Sequence, residues 1–88
     1  MKEVKVKIQN KLGLHARPAA EFVKCASQYK SDVMVAKNDR EVNGKSIMGV
    51  MTLAAEMGSV LRIVADGEDE ELAVKALVEL INLKFNEE

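Results

Sequence analysis

A chain of 88 residues with 13 basic and 14 acidic side chains, formal net charge -1, lacks the basic excess of a general nucleic-acid binder. Its aromatics are Phe22, Tyr29 and Phe85, with no Trp, too few for a base-stacking platform. At 48% hydrophobic the length suits one domain, residues 1–88, with a thin core of its own.

The chain opens on an alternation, Val4, Val6 and Ile8 against Lys5, Lys7 and Gln9, which predicts a half-buried strand. A start of this kind is not a signal peptide, and no apolar run approaches the roughly 20 residues that span a bilayer. The single Cys25 can form no internal disulfide and suits a reducing compartment. A soluble cytoplasmic protein is expected, with neither a membrane nor nucleic acid as direct partner.

After a turn at residues 10–13 comes the stretch Gly13-Leu14-His15-Ala16-Arg17-Pro18-Ala19, with the only His and the only Pro of the chain. Pro is favoured in a first helical turn, where its missing N–H had no partner to lose. Ala19, Phe22, Val23 and Ala26 then recur at spacings of three and four, predicting a helix from residue 16 to about residue 27. His15 and Arg17 therefore fall where a strand gives way to a helix N-terminus. The amides of Ala16 and Arg17 open that helix, a place of positive dipole suited to an anion.

Val33 to Ala36 and Arg40 to Asn43 read as two short strands. They are joined at Asn38-Asp39, residue types that tolerate left-handed backbone. Residues 46–53 predict a short helix with Ser46 as N-cap, although Gly49 lowers its propensity by roughly 1 kcal/mol relative to Ala. On such a helix Val50 and Leu53 share one side, and Ile47, Met48 and Met51 another. Either the second side stays exposed as a docking patch, or the helix is wedged between neighbours and buried all round. Leu61, Ile63 and Ala65 alternate with Arg62 and Val64 in a last strand. The acidic run at residues 68–71 then starts a helix to about residue 84, with its apolar stripe on Ala73, Leu77, Leu80 and Ile81.

The order is strand, helix, strand, strand, helix, strand, helix, with no linker or repeat. It suits an α+β antiparallel sheet with helices on one face.

A lone His is commonly structural or merely exposed, but three neighbours give this one a chemistry. Gly13 permits a close turn, Pro18 fixes the helix start, and Arg17 carries a planar, permanent charge matched to phosphate oxygens. A neutral imidazole is the form that attacks phosphorus, and a helix N-terminus disfavours imidazolium. No second base, no Cys–His pair and no cluster of metal ligands accompanies it. A phosphoacceptor needs only the nucleophile and an anion pocket, and no cofactor.

The Gly13–Ala19 stretch resembles the active-site signature of the HPr family, the histidine-containing phosphocarriers of the bacterial sugar phosphotransferase system. Lys45-Ser46-Ile47-Met48-Gly49-Val50-Met51 resembles the regulatory serine signature of the same family, and Ile47, Met48 and Met51 its Gram-positive version. The resemblance covers essentially the whole chain. It implies an open-faced β-sandwich, βαββαβα, with strand order 1-4-2-3 and three helices on one face. It implies that Enzyme I, phosphorylated from phosphoenolpyruvate, donates to Nδ1 of His15, that Arg17 stabilises the phosphoryl group, and that EIIA domains of sugar permeases receive it. It further implies phosphorylation of Ser46 by the ATP-dependent HPr kinase/phosphorylase, a corepressor role with the catabolite regulator CcpA, and docking through Ile47, Met48 and Met51. A monomer that carries phosphate and is not itself an enzyme is expected. The alternative is a purely regulatory module of the Crh kind acting through Ser46, but Crh lacks the active His. Many relatives have Gly where this chain has Ala54, and Cys25 has no family role.

Overall fold

A computed structural model of the chain describes residues 1–86; the last two residues of the expected 1–88 domain lie outside it. Seven elements follow in the expected order. They are β1 (Lys2–Lys7), α1 (Ala16–Ala26), β2 (Asp32–Lys37), β3 (Arg40–Asn43), α2 (Ile47–Met51), β4 (Val60–Asp66) and α3 (Glu70–Asn82). The strands make one antiparallel sheet in the order β1-β4-β2-β3.

The alternation read in the sequence sets the register. Val4 faces Ile63, Val6 faces Leu61, and Val35 also meets Ile63. Val6, Val33, Val35, Leu61, Ile63 and Ala65 thus line one face of the sheet. Ala19, Phe22 and Ala26 of α1, Val50 of α2, and Ala73, Val74, Leu77 and Ile81 of α3 close over that face into a continuous core. The other face carries the Arg62–Glu41 ion pair at 3.6 Å, both partners exposed. The β2–β3 turn uses the backbone freedom expected of Asn38, which takes a φ of 55°.

The chain's end departs from the expectation. Helix α3 stops at Asn82 rather than near residue 84. Lys84, Phe85 and Asn86 follow in a single 3-10 turn with φ of 57°, 55° and 62°. The reason lies in Phe85, whose ring is completely buried in the core. Phe85 falls four residues past Ile81, and the left-handed turn brings its ring into the core cluster that Ala73, Leu77 and Ile81 share. Leu80 is only partly buried, at the stripe's margin.

Candidate functional site: the first turn of α1

Between β1 and α1 the chain passes through a pinned loop. The Asn10 side-chain amide, almost wholly buried, donates to the Gly13 carbonyl at 2.7 Å, and the Gly13 amide returns to the Asn10 carbonyl at 3.1 Å. Leu14 donates to the Ala55 carbonyl at 2.8 Å and buries its side chain. Gly13 has a φ of 68°, and a Cβ there would collide with the Ala55 carbonyl oxygen. Only Gly allows both the left-handed backbone and this close approach. The loop thus delivers His15 from a fixed base.

His15 is the N-cap of α1, with extended backbone (φ -79°, ψ -170°), and its side chain makes no capping bond. The first backbone bond of the helix runs from the Ala19 amide to the His15 carbonyl at 2.9 Å. Ala16 and Arg17 precede it, so their amides have no partner within the helix, and Pro18, the third helical residue, has no N–H to leave unpaired. The imidazole is half-buried and lines a shallow surface depression together with Leu12, Leu14, Met51, Ala55 and Met57. Arg17 Nη2 donates to the carbonyl of Phe85, 68 residues on in sequence, at 3.0 Å.

The Ser46 hydroxyl accepts from the Gly49 amide at 3.1 Å and so caps α2 as expected. Val50 and Leu53 are buried, while Ile47, Met48 and Met51 are exposed, Met48 by 79%. The wedged alternative for this helix is thereby excluded. Met51 reaches the depression beside His15, whereas Ser46, Ile47 and Met48 lie outside its lining. At the exit from α2, Ala54 takes left-handed backbone, with a φ of 49°. Lys37 Nζ donates to its carbonyl at 3.2 Å.

Leu12, Met57 and Phe85 join the site without having been singled out in the sequence. Leu12 and Met57 are isolated apolar residues in turns, where no periodicity marks them. Phe85 sits four residues after Ile81, a spacing that could have extended the core stripe. Cys25 is half-buried on α1, and burial pushes its thiol up, away from the reactive thiolate. Among the described residues no group of His, Cys, Asp or Glu could hold a metal ion, and no helix is long and apolar enough to cross a membrane.

An open-faced α+β sandwich with an imidazole and a guanidinium at the entrance of its first helix is the frame of a small phosphoryl carrier. The chain belongs to the HPr family of phosphocarrier proteins: the family model described as the PTS HPr component phosphorylation site matches residues 2–82. It is similar to the phosphocarrier protein HPr of Neisseria meningitidis serogroup A, 56% identical over 82 residues, covering 93% of this chain and 92% of that protein. The HPr-like protein Crh of Halalkalibacterium halodurans is 43% identical over 81 residues, covering 92% and 96%. Among solved structures, HPr-C-His from Thermoanaerobacter tengcongensis superposes with a TM-score of 0.96 at 56% identity, covering 100% of this chain and 99% of that one. Members of the family carry phosphate as phosphocarriers rather than acting as catalysts.

Proposed function

We propose that His15 is the phosphoacceptor of this protein, taking a phosphoryl group from Enzyme I and passing it to the EIIA domains of sugar permeases. One observation carries the reading: His15 is held at the N-cap of α1 on a pinned loop, with Arg17 in the first helical turn. The lone pair of Nδ1 attacks phosphorus, a nitrogen–phosphorus bond forms as the donor's bond breaks, and the departing donor atom keeps that electron pair. The arriving negative charge meets the positive end of the helix and the Arg17 guanidinium. The same reaction run toward EIIA discharges the carrier, so no resident cofactor or metal is required.

Ser46 is the regulatory site in this reading. A phosphate there remains at a helix N-cap, which tolerates negative charge, so its effect falls on partners more than on the fold. HPr kinase/phosphorylase would place it, and CcpA would recognise the product. Ile47, Met48 and Met51 supply an adaptable apolar surface for these partners. The protein acts as a cytoplasmic monomer. A purely regulatory module of the Crh kind, suggested by the 43% identical relative of that name, would have no use for the His15 and Arg17 pair.

The test is incubation with Enzyme I and labelled phosphoenolpyruvate, with His15→Ala in parallel. Acid-labile, alkali-stable label in the parent and none in the variant is the expected result; an unlabelled parent ends the carrier reading. For Ser46, ATP and HPr kinase/phosphorylase should label the parent but not Ser46→Ala, and equal labelling of both would remove the regulatory assignment.

A further inference from the structure

Three of the chain's five methionines are exposed in one stretch: Met48 and Met51 on α2, and Met57 in the turn before β4. Met51, 43% exposed, and Met57, 57% exposed, line the depression that holds His15; Met48 lies outside that lining. The other two, Met1 and Met34, line a separate depression with Val64 and Asp66. A thioether is apolar and polarizable, and it adapts to a partner's surface. Of the side chains that line the depression beside His15, the two thioethers are the ones that a peroxide oxidises. The single thiol does not compete: Cys25 is half-buried, and burial pushes it up, away from the thiolate that peroxide attacks.

We propose that Met51 and Met57 are oxidation sites that govern access to the phosphoryl site: a peroxide converts their thioethers to sulfoxides, and Enzyme I then docks over His15 less tightly. This rests on the carrier reading. The step is a two-electron oxygen transfer. A sulfur lone pair attacks one peroxide oxygen, the sulfur–oxygen bond forms as the oxygen–oxygen bond breaks, and the other oxygen leaves with the bonding pair and takes up a proton as water. Sulfur is oxidised and the peroxide is reduced. The product is a polar group where an apolar one stood. In open water that group is hydrated, and all three side chains lie outside the core, so the free protein keeps its fold. Under a docked partner the new oxygen loses its water and, against an apolar surface, finds no donor. The cost therefore falls on docking. Sulfoxide reductases return two electrons from thiols and release the oxygen as water, which makes the change reversible.

The protein is treated with hydrogen peroxide, freed of it, and then labelled by Enzyme I and labelled phosphoenolpyruvate, with peptide mass spectrometry locating the added oxygen. In the parent, the Enzyme I concentration needed for half-maximal labelling should rise about tenfold on oxidation, the scale of an unpaired polar group in an apolar contact. Met51→Leu with Met57→Leu keeps the depression apolar but has no sulfur there, and each protein is compared with itself before peroxide. The double variant should shift less than about threefold on oxidation, although Met1 and Met48 are oxidised in it as in the parent; Met48→Leu should shift as the parent does. Methionine sulfoxide reductase should restore the oxidised parent, and its melting temperature should hold throughout. A double variant that shifts as far as the parent, a parent oxidised at both residues that does not shift, or a melting temperature that collapses on oxidation would each overturn the oxidation sites while the carrier reading stands. A parent that takes no label before peroxide would remove both.

Discussion

Ser46 separates two roles that share one oxygen. As N-cap it accepts the Gly49 amide; as a modification site it would carry a phosphate. Ser46→Ala should lower unfolding stability by about 1 kcal/mol through the lost cap. Ser46→Asp keeps an acceptor at the cap and should leave stability within about 0.5 kcal/mol of the parent, yet slow labelling by Enzyme I through charge repulsion at the docking surface. Urea unfolding and labelling rates on the same preparations distinguish the two roles; an unslowed Ser46→Asp would discount the electrostatic switch. Ala54 offers a second test on a single residue. Left-handed backbone costs an L-residue roughly 1–2 kcal/mol, and Gly returns part of that as unfolded-chain entropy, roughly 0.4–1 kcal/mol. Ala54→Gly should therefore stabilise the fold by about 0.5–1 kcal/mol in urea unfolding, and a destabilised variant would show that the alanine methyl packs usefully.

Helix α2 shows how a five-residue element divides its labour. Val50 is fully buried between α1 and the sheet, while Met48 projects into solvent. Val50→Ala should cost about 1.5–3 kcal/mol of stability. Met48→Asp should change stability by no more than about 0.5 kcal/mol, and should instead raise the Enzyme I concentration needed for half-maximal labelling. A melting temperature that collapses in Met48→Asp would reassign the residue to the core. This division was legible in the sequence because the 100° helical step separates Val50 and Leu53 from Ile47, Met48 and Met51. The sheet was legible for the same kind of reason: alternation in β1 and β4 fixes which side chains face the helices. The end of α3 was not. Nothing in Leu83-Lys84-Phe85-Asn86 is a Gly or Pro that announces a left-handed turn, so the stripe read as a helix running on. The Arg17–Phe85 contact was invisible for that reason, since it depends on the direction of a carbonyl that only the folded tail sets.

Over the whole molecule, contacts between segments distant in sequence tie the elements together, and Asp69 makes three of them. The acidic start of α3 read as a complement to the helix dipole. Asp69 is indeed the N-cap, yet its side chain makes no capping bond. It reaches back to the α1–β2 loop and accepts from the Lys30 amide at 2.9 Å, the Ser31 amide at 3.0 Å and the Ser31 hydroxyl. The Ser31 hydroxyl first, and the Lys30 amide next, hold the Asp69 carboxyl down to about 2, from 3.8. A carboxylate whose folded-state value is depressed contributes stability that is complete above its unfolded value and disappears as pH falls through the folded one. The contribution of Asp69 is therefore full above about pH 4 and fades between about pH 4 and pH 2. Asp69→Ala should melt below the parent at pH 7, and the gap between the two melting temperatures should close on acidification across that window. Ser31→Ala, which removes the donor that lowers the Asp69 carboxyl most, should melt below the parent at pH 7 by a smaller gap, one that begins to close at lower pH than the Asp69→Ala gap because the two proteins differ only in the folded-state value of Asp69. Melting curves of the three proteins from pH 7 to pH 2 decide it: a gap for Asp69→Ala that stays constant down to pH 2 would mean that the residue stabilises the fold through something other than its ionised hydrogen bonds.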